Sequence, residues 1–215
     1  MASRNAADGQ SMLDTADGAL QETHNLLLRM RELAVQAANG TLQSTDRTAI
    51  NAEFSALESE ITRISDNTSW AGIKLLDSSL SGGVTFHVGS GASQTITHSI
   101  PNMAATAATL GLVAAVTLAT MANANSAITQ LDVAIAGVSK ERAEIGAVSN
   151  RLDATISNLN QVKVNLSSSK GRIEDADFAQ ETSNLAKNQI LQQAATAMLA
   201  QANSSQSTVL TLLRG

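Results

Sequence analysis

Apolar side chains recur along this chain at alternating intervals of three and four. Ala16, Ala19, Thr23, Leu26, Met30, Leu33 and Ala37 form a first seam. That spacing is one face of an α-helix. Asn39-Gly40 follows and predicts a left-handed stop. Ile50, Phe54, Leu57, Ile61 and Ile64 form a second seam, with Ser44, Thr45 or Asp46 as its N-terminal cap. The short link between the two predicts an antiparallel helical hairpin.

The third seam is the longest. Ile128, Leu131, Ile135, Val138, Arg142, Ile145, Ser149, Leu152, Ile156, Leu159, Lys163 and Leu166 keep the alternation without a slip. A helix over this seam is about 60 Å long. A sustained 3.5-residue repeat predicts coiled-coil-like packing. Arg142, Ser149 and Lys163 interrupt the apolar run. Either they fix the register, or their stems lie along the edge of the seam.

Between the helical seams the pattern changes. Val84, Phe86 and Val88 alternate, residues 95–100 are rich in β-branched side chains, and Gly82, Gly83, Gly89 and Gly91 punctuate them. This predicts a small β-hairpin. Residues 103–127 are ambiguous between helix and loop. After the third seam, SSSKGRIEDADFAQE predicts a break, with Asp175 or Asp177 capping a new helix. That final helix carries Leu191, Ala195, Met198, Ala202, Ser205, Val209 and Leu212 on its own seam. Four segments result: a helical hairpin over 1–76, a β-hairpin region over 77–126, a long helix over 127–169 and a terminal helix over 170–215. The fold class is mainly α, a long antiparallel coiled-coil-like helical bundle with a small β-hairpin region and a C-terminal helix.

The terminal helix has an unusual surface. No charged side chain lies between Lys187 and Arg214. A soluble helix usually charges the side that meets water. Either this helix is buried within its own domain, or its sides meet other chains.

Composition narrows the function. The chain has 215 residues, no cysteine and only 2% aromatics. Apolarity comes from Ala, Leu, Ile and Val, as in helices packed side by side. Without cysteine there are no disulfides or thiolate metal sites. A net charge of -5 with no Lys/Arg cluster gives no reason to expect nucleic-acid binding. No apolar run reaches the ~18 residues of a membrane span, so no membrane insertion is expected. No cleavable signal peptide is recognised. Met1 precedes a helix-compatible stretch that starts abruptly, so the chain is expected to begin inside a longer protein.

Little chemistry is offered. Of His24, His87 and His98, only the last two are expected to meet, across the hairpin. Two histidines without a carboxylate make a poor zinc site. No HExxH, P-loop, GxGxxG or GxSxG motif occurs. Glu174, Asp175 and Asp177 suit a helix N-terminus better than acid–base work. No enzyme activity, metal or cofactor is expected.

Several long motifs resemble bacterial flagellin. LLLRMRELAVQAANG (26–40) is similar to the family's N-terminal signature, as is DRTAINAEFSALESEITRISDNTSWAGIKLLD (46–77). In the second, Trp70-Ala71-Gly72 stands where the family has a Phe-Asn-Gly turn. FHVGSGASQTI (86–96), GRIEDADFAQETSNLAKNQILQQAATAMLAQAN (171–203) and the terminal VLTLLRG are similar to family segments as well. Only 101–127 lacks a clear counterpart.

The resemblance implies a structural subunit of the flagellar filament, serving motility. It would be secreted through the flagellar type III route without a cleaved signal peptide. The terminal segments would form an inner tube of coiled-coil helices, inside a helical rod carrying a β-hairpin. Relative to the family, the first fifty or so residues are missing and the variable insertion is minimal, so this chain is not expected to polymerise. Ile190, Leu191, Ala195, Met198, Ala202, Val209, Leu212 and Leu213 would contact the inner tube or a flagellar export chaperone. Arg29, Arg31, Leu33, Gln36 and Glu53 would form a subunit-contact surface. Arg29, Leu33 and Glu53 also match the surface seen by the flagellin-sensing toll-like receptor. Leu28 and Ala56 replace frequent glutamines there, which weakens that match. A solvated surface remains the alternative for Arg29, and the simple reading of Leu33, which lies on the first seam, is core. A hook–filament junction protein is the nearest alternative, and a signalling coiled coil comes from another class.

Overall fold

The computed structural model describes residues 1–107, 110 and 116–214; of 176, 177 and 211–214 only the backbone is described. The chain divides into two units, 1–160 and 161–215. The first contains α1 (Ala2–Ala37), α2 (Ser44–Asn67), β1 (Ser69–Trp70), β2 (Ile73–Lys74), β3 (Val84–His87) and β4 (Thr95–His98). It also contains the start of α3 (Met121–Arg214). Helix α3 begins before the predicted segment, so the described part of the ambiguous 103–127 stretch is loop up to 120 and helix from 121.

Helix α1 lies at the centre of the first unit. Asp17 pairs with Arg142 and Arg31 with Asp132, so α1 and α3 run antiparallel. Because α1 has neighbours on more than one side, its buried stripe is wider than the predicted seam. Leu20 and Leu27 are fully buried, whereas Ala19 and Leu26 are partly so. Buried Ala6, Ala16, Ala34, Ala37, Ala124, Ala127 and Ala134 let the helix backbones approach closely. That packing needs few large rings.

The buried seam of α3 also differs from the predicted one. Ala124, Ala127, Leu131, Ala134, Val138, Glu141, Ile145, Val148 and Leu152 are buried. Leu131, Val138, Ile145 and Leu152 belong to both seams. The intervening positions sit one residue earlier, which moves Ile128 and Ile135 to partial burial. Arg142 and Ser149 therefore stand beside the seam rather than in it. At the seam's edge, Arg142 donates from Nε to Asp17 Oδ1 at 2.8 Å.

The left-handed stop predicted at Asn39-Gly40 does not form. The α1 cap is Ala38 in right-handed geometry, and Gly40 has no positive φ. Arg47 does the work instead. Its guanidinium donates to Ala37 O at 2.9 Å, Leu42 O at 2.9 Å and Asn39 O at 2.8 Å. Ala37 O is one of the helix-end carbonyls that have no partner within the helix, and Asn39 O also accepts the Leu42 N–H at 3.4 Å. Helix α2 starts at the predicted place, but Asp46 caps it from the third helical position. Its Oδ2 accepts the Gln43 N–H at 3.1 Å.

After α2, β1 and β2 are joined by Ala71 and Gly72 at φ of 49° and 84°. Two positive φ values define the tight turn that matches strand twist. It directs Leu75 and Leu76 into the core, where Ser65 Oγ donates to Leu76 O at 2.6 Å.

The predicted β-hairpin is present as β3 and β4, with Phe86 opposite Ile96 on the inner face. It rests on α1 at Gly9, where a Cβ would lie 2.6 Å from Phe86 Cδ1. Asn5 Nδ2 also donates to His87 O at 3.1 Å. The expected meeting of His87 and His98 does not occur. His98 stands opposite Val84 and His87 opposite Thr95, and period-two alternation leaves them on different faces. His98 is instead buried with Glu141 of α3, Nε2 to Oε1 being 3.4 Å.

The second unit is helical throughout its described backbone. The break predicted from SSSKGRIEDADFAQE is absent: the helix continues through 167–175. Serines and one glycine cost roughly 0.5–1 kcal/mol each in a helix, whereas proline, which would stop it, is missing. Lys170 and Glu174 add a supporting pair at 3.4 Å, one turn apart.

Candidate functional site: a paired helix face and a charge-free helix

Two surfaces carry the predicted site residues, one in each unit. In the first unit, Arg29 projects from α1 and holds two carboxylates. Nε and Nη2 donate to Glu53 Oε1 at 3.1 and 2.8 Å, and Nη1 donates to Glu32 Oε2 at 3.0 Å. The hydrogen bond to Glu53, then that to Glu32, holds the guanidinium pKa above its ordinary value. Two residues on, roughly 200° round the helix, Arg31 Nε donates to Asp132 Oδ1 of α3 at 2.6 Å, which raises the Arg31 pKa likewise. Arg29 thus ties α1 to α2, and Arg31 ties α1 to α3. Both pairs remain about half exposed: the four side chains range from 43% to 51%.

Gln36 is exposed near the end of the same helix. Leu33 does not join the surface. It is 2% exposed, so its seam position, rather than its spacing from Arg29, sets its environment. Leu28 and Val35 are the apolar side chains that reach solvent here, at 43% and 50%. Glu32 and Asp132 belong to this face and were not singled out in the sequence. Glu32 was detectable from its spacing of three after Arg29. Asp132 was not, because pairing it requires the register of α3 against α1.

In the second unit, Ile190, Leu191, Met198 and Val209 are exposed apolar side chains, and Ala195 and Ala202 are exposed too. Leu212 and Leu213 lie outside the described side chains. Apolarity is not confined to the seam of Leu191, Ala195, Met198, Ala202 and Val209. At 3.6 residues per turn, Leu185, Leu199 and Leu210 stand roughly 80–120° to one side of it, and Ile190 about 100° to the other. All four are exposed. The remaining positions from 188 to 211 are Ala or uncharged polar residues. Such a surface has no ionic groups to place against water and apolar contacts to make on three sides. Among the described residues no group of three His, Asp or Glu side chains is arranged to hold a metal. Among the described residues no helix is long and apolar enough to cross a membrane.

Comparison with known proteins bears on both surfaces. Residues 1–81 match the bacterial flagellin N-terminal helical region, and 128–213 match the bacterial flagellin C-terminal helical region. Flagellin of Halalkalibacterium halodurans is 43% identical over 213 residues, covering 99% of this chain and 78% of that protein. Flagellin of Bacillus subtilis is 41% identical over 244 residues, covering 100% of this chain and 80% of that protein. Among solved structures, Bacillus cereus flagellin superposes with a TM-score of 0.65 at 34% identity, covering 73% of this chain and 88% of the other. A putative flagellar hook-associated protein from Vibrio parahaemolyticus gives 0.66 at 18% identity, over 79% and 88%, and shows likeness of fold alone. The two matched regions cover both ends of the chain, and each carries one of the two surfaces: the chain belongs to the bacterial flagellin family.

Proposed function

We propose that this chain is a structural subunit of the flagellar filament, with no catalytic role, acting in motility through contacts with copies of itself. The observation that carries this reading is the charge-free stretch of α3 with apolar side chains on three sides. A two-helix coiled coil buries a single stripe. Apolar groups all round need several neighbours. A filament interior supplies them, and burying unpaired charge there would be costly. The segment 170–215 is its inner-tube element. Before assembly, Ile190, Leu191, Ala195, Met198, Ala202, Val209, Leu212 and Leu213 are the contacts for an export chaperone, on the flagellar type III route to the cell exterior. The 43% and 41% identities to flagellins favour this over a hook–filament junction role.

Hydrogen exchange read by peptide tests it. In the isolated chain, 170–210 is expected to exchange promptly while α1 and 124–152 are protected. A cognate chaperone or filament fragments should then protect 188–210. Protection of the tail equal to that of α1 in the isolated chain would mean it packs within its own chain, and the multi-neighbour reading would fail.

The Arg29 face is proposed as a subunit contact, with Arg31, Gln36 and Glu53, and as a ligand for the flagellin-sensing toll-like receptor. Leu33 supports that face from beneath. The pairs are exposed, and exposed pairs contribute little stability. Arg29→Ala should therefore remain folded while losing receptor signalling in a cell reporter assay. Unchanged signalling by the folded variant would remove Arg29 from the receptor role.

A further inference from the structure

The loop between α1 and α2 contains the one Asn-Gly pair in the chain; none of the other fourteen asparagines precedes glycine. Both Asn39 and Gly40 are exposed. Asn39 Oδ1 accepts the Thr41 N–H at 3.1 Å. This bond closes a small ring of atoms containing both Asn39 Cγ and Gly40 N, an Asx-turn. The same bond draws electron density from the Asn39 amide carbon. The Gly40 N–H donates to no group among the described residues. A Cβ on Gly40 would meet nothing within 4 Å, so the backbone there is open on that side. Many of the other asparagines lie inside helices, where the following N–H is held in the backbone ladder.

We propose that Asn39-Gly40 is a site of spontaneous backbone modification, converting asparagine to aspartyl and isoaspartyl forms. The Gly40 nitrogen gives up its proton to solvent base and attacks Asn39 Cγ. The N–Cγ bond forms, the Cγ–Nδ2 bond breaks, and the nitrogen departs as ammonia after taking up a proton. Water then opens the cyclic imide at either carbonyl. No electrons are transferred; the net change is addition of water and loss of ammonia. Glycine favours the closure because it leaves the ring unhindered and reaches conformations other residues avoid. Opening at the former main-chain amide routes the chain through the Asn39 side chain. The main-chain carbonyl that Arg47 Nη2 now binds at 2.8 Å then becomes a free carboxylate beside that guanidinium. The product thus places a new negative charge beside the arginine that ends α1, and lengthens the loop backbone by one carbon.

The test uses the full chain, incubated in mildly alkaline buffer, both folded and in urea, and followed by mass spectrometry of the peptide containing 39–40. The expected result is loss of one amine in exchange for one hydroxyl at Asn39. It should resolve into two chromatographic species, one of them a substrate for an isoaspartyl methyltransferase with labelled methyl donor. The folded chain should convert at least as fast as the unfolded one, because the loop already holds the Asx-turn. Gly40→Ala should slow conversion severalfold. Severalfold slower conversion in the folded chain, or equal conversion in Gly40→Ala, would overturn the proposal.

Discussion

Phe54→Ala is expected to destabilise the first unit by about 3–5 kcal/mol, the range for removing a buried ring. Phe54 is wholly buried on α2. It is the one aromatic side chain in the chain with no exposure: Phe86 is 8% exposed, Trp70 is partly buried and Phe178 is 72% exposed. Around it the core is built from Leu, Ile, Met and Ala. Those side chains stand on long helices held by the less exposed Asp17–Arg142 pair and by the Arg47 clamp. Elements held at several points do not collapse easily into a vacated space, so the cavity term should be retained. A urea titration would show a lower midpoint with an unchanged slope. A loss below about 1 kcal/mol, the ordinary cost of an average substitution, would mean that α2 is free to slide inward and that the clamps do not fix it.

Gly9→Val should have the second-largest effect, and a local one. A Cβ at this position falls 2.6 Å from Phe86 Cδ1 and 2.8 Å from Cε1. Contact with a ring face cannot be relieved by moving the end of a flexible chain. Phe86 is fixed opposite Ile96, and the neighbouring His87 carbonyl is held by Asn5. The hairpin as a whole must therefore lift from α1. Overpacking of this kind costs about 1–3 kcal/mol. The gain in helix propensity over glycine recovers only about 0.5 kcal/mol. Faster amide exchange over 84–98, with α2 unchanged, is the expected signature. Unchanged exchange over 84–98 would show that the hairpin does not depend on the glycine contact.

These two positions differ in how far sequence alone exposes them. Phe54 was legible because its seam keeps helical spacing and its neighbours are apolar. Gly9 was not, because a glycine in a helix says nothing about what approaches it. The same contrast runs through the fold. Helix existence, the antiparallel arrangement and the β-hairpin follow from periodicity, since burial selects for one face at a time. The one-residue difference along α3 does not. Apolar residues occupy both 127 and 128, and both 134 and 135, so the pattern permits either stripe. Tertiary neighbours choose, and they place Glu141 in the seam beside His98. The missing break at 167–175 is a different error: poor helix formers in a row lower propensity without forbidding the helix. At Gly40 a turn residue suggested left-handed geometry, while an arginine seven positions on satisfied the carbonyls instead.

Site residues divide along similar lines. Arg29 and Glu53 come together in the structure because two predicted helices pair as their seams require. Leu33 was placed both in the core and on the surface by sequence; burial decides for the core. In the terminal helix the seam was legible, but the apolar side chains off the seam, Leu185, Leu199 and Leu210, were not given weight. Reading a single stripe assumes a single partner.

The absence of charge from 188 to 213 has a consequence for ionic strength. Mobile ions screen charges beyond about 8–10 Å at physiological salt, and they leave apolar and neutral hydrogen-bonded contacts largely untouched. Associations through the terminal helix should therefore respond weakly to added sodium chloride. Associations through Arg29, Arg31 and Glu53 should weaken as salt rises. On the proposed reading, raised ionic strength is expected to loosen contacts made through Arg29, Arg31 and Glu53 while leaving those made through 188–213 largely in place.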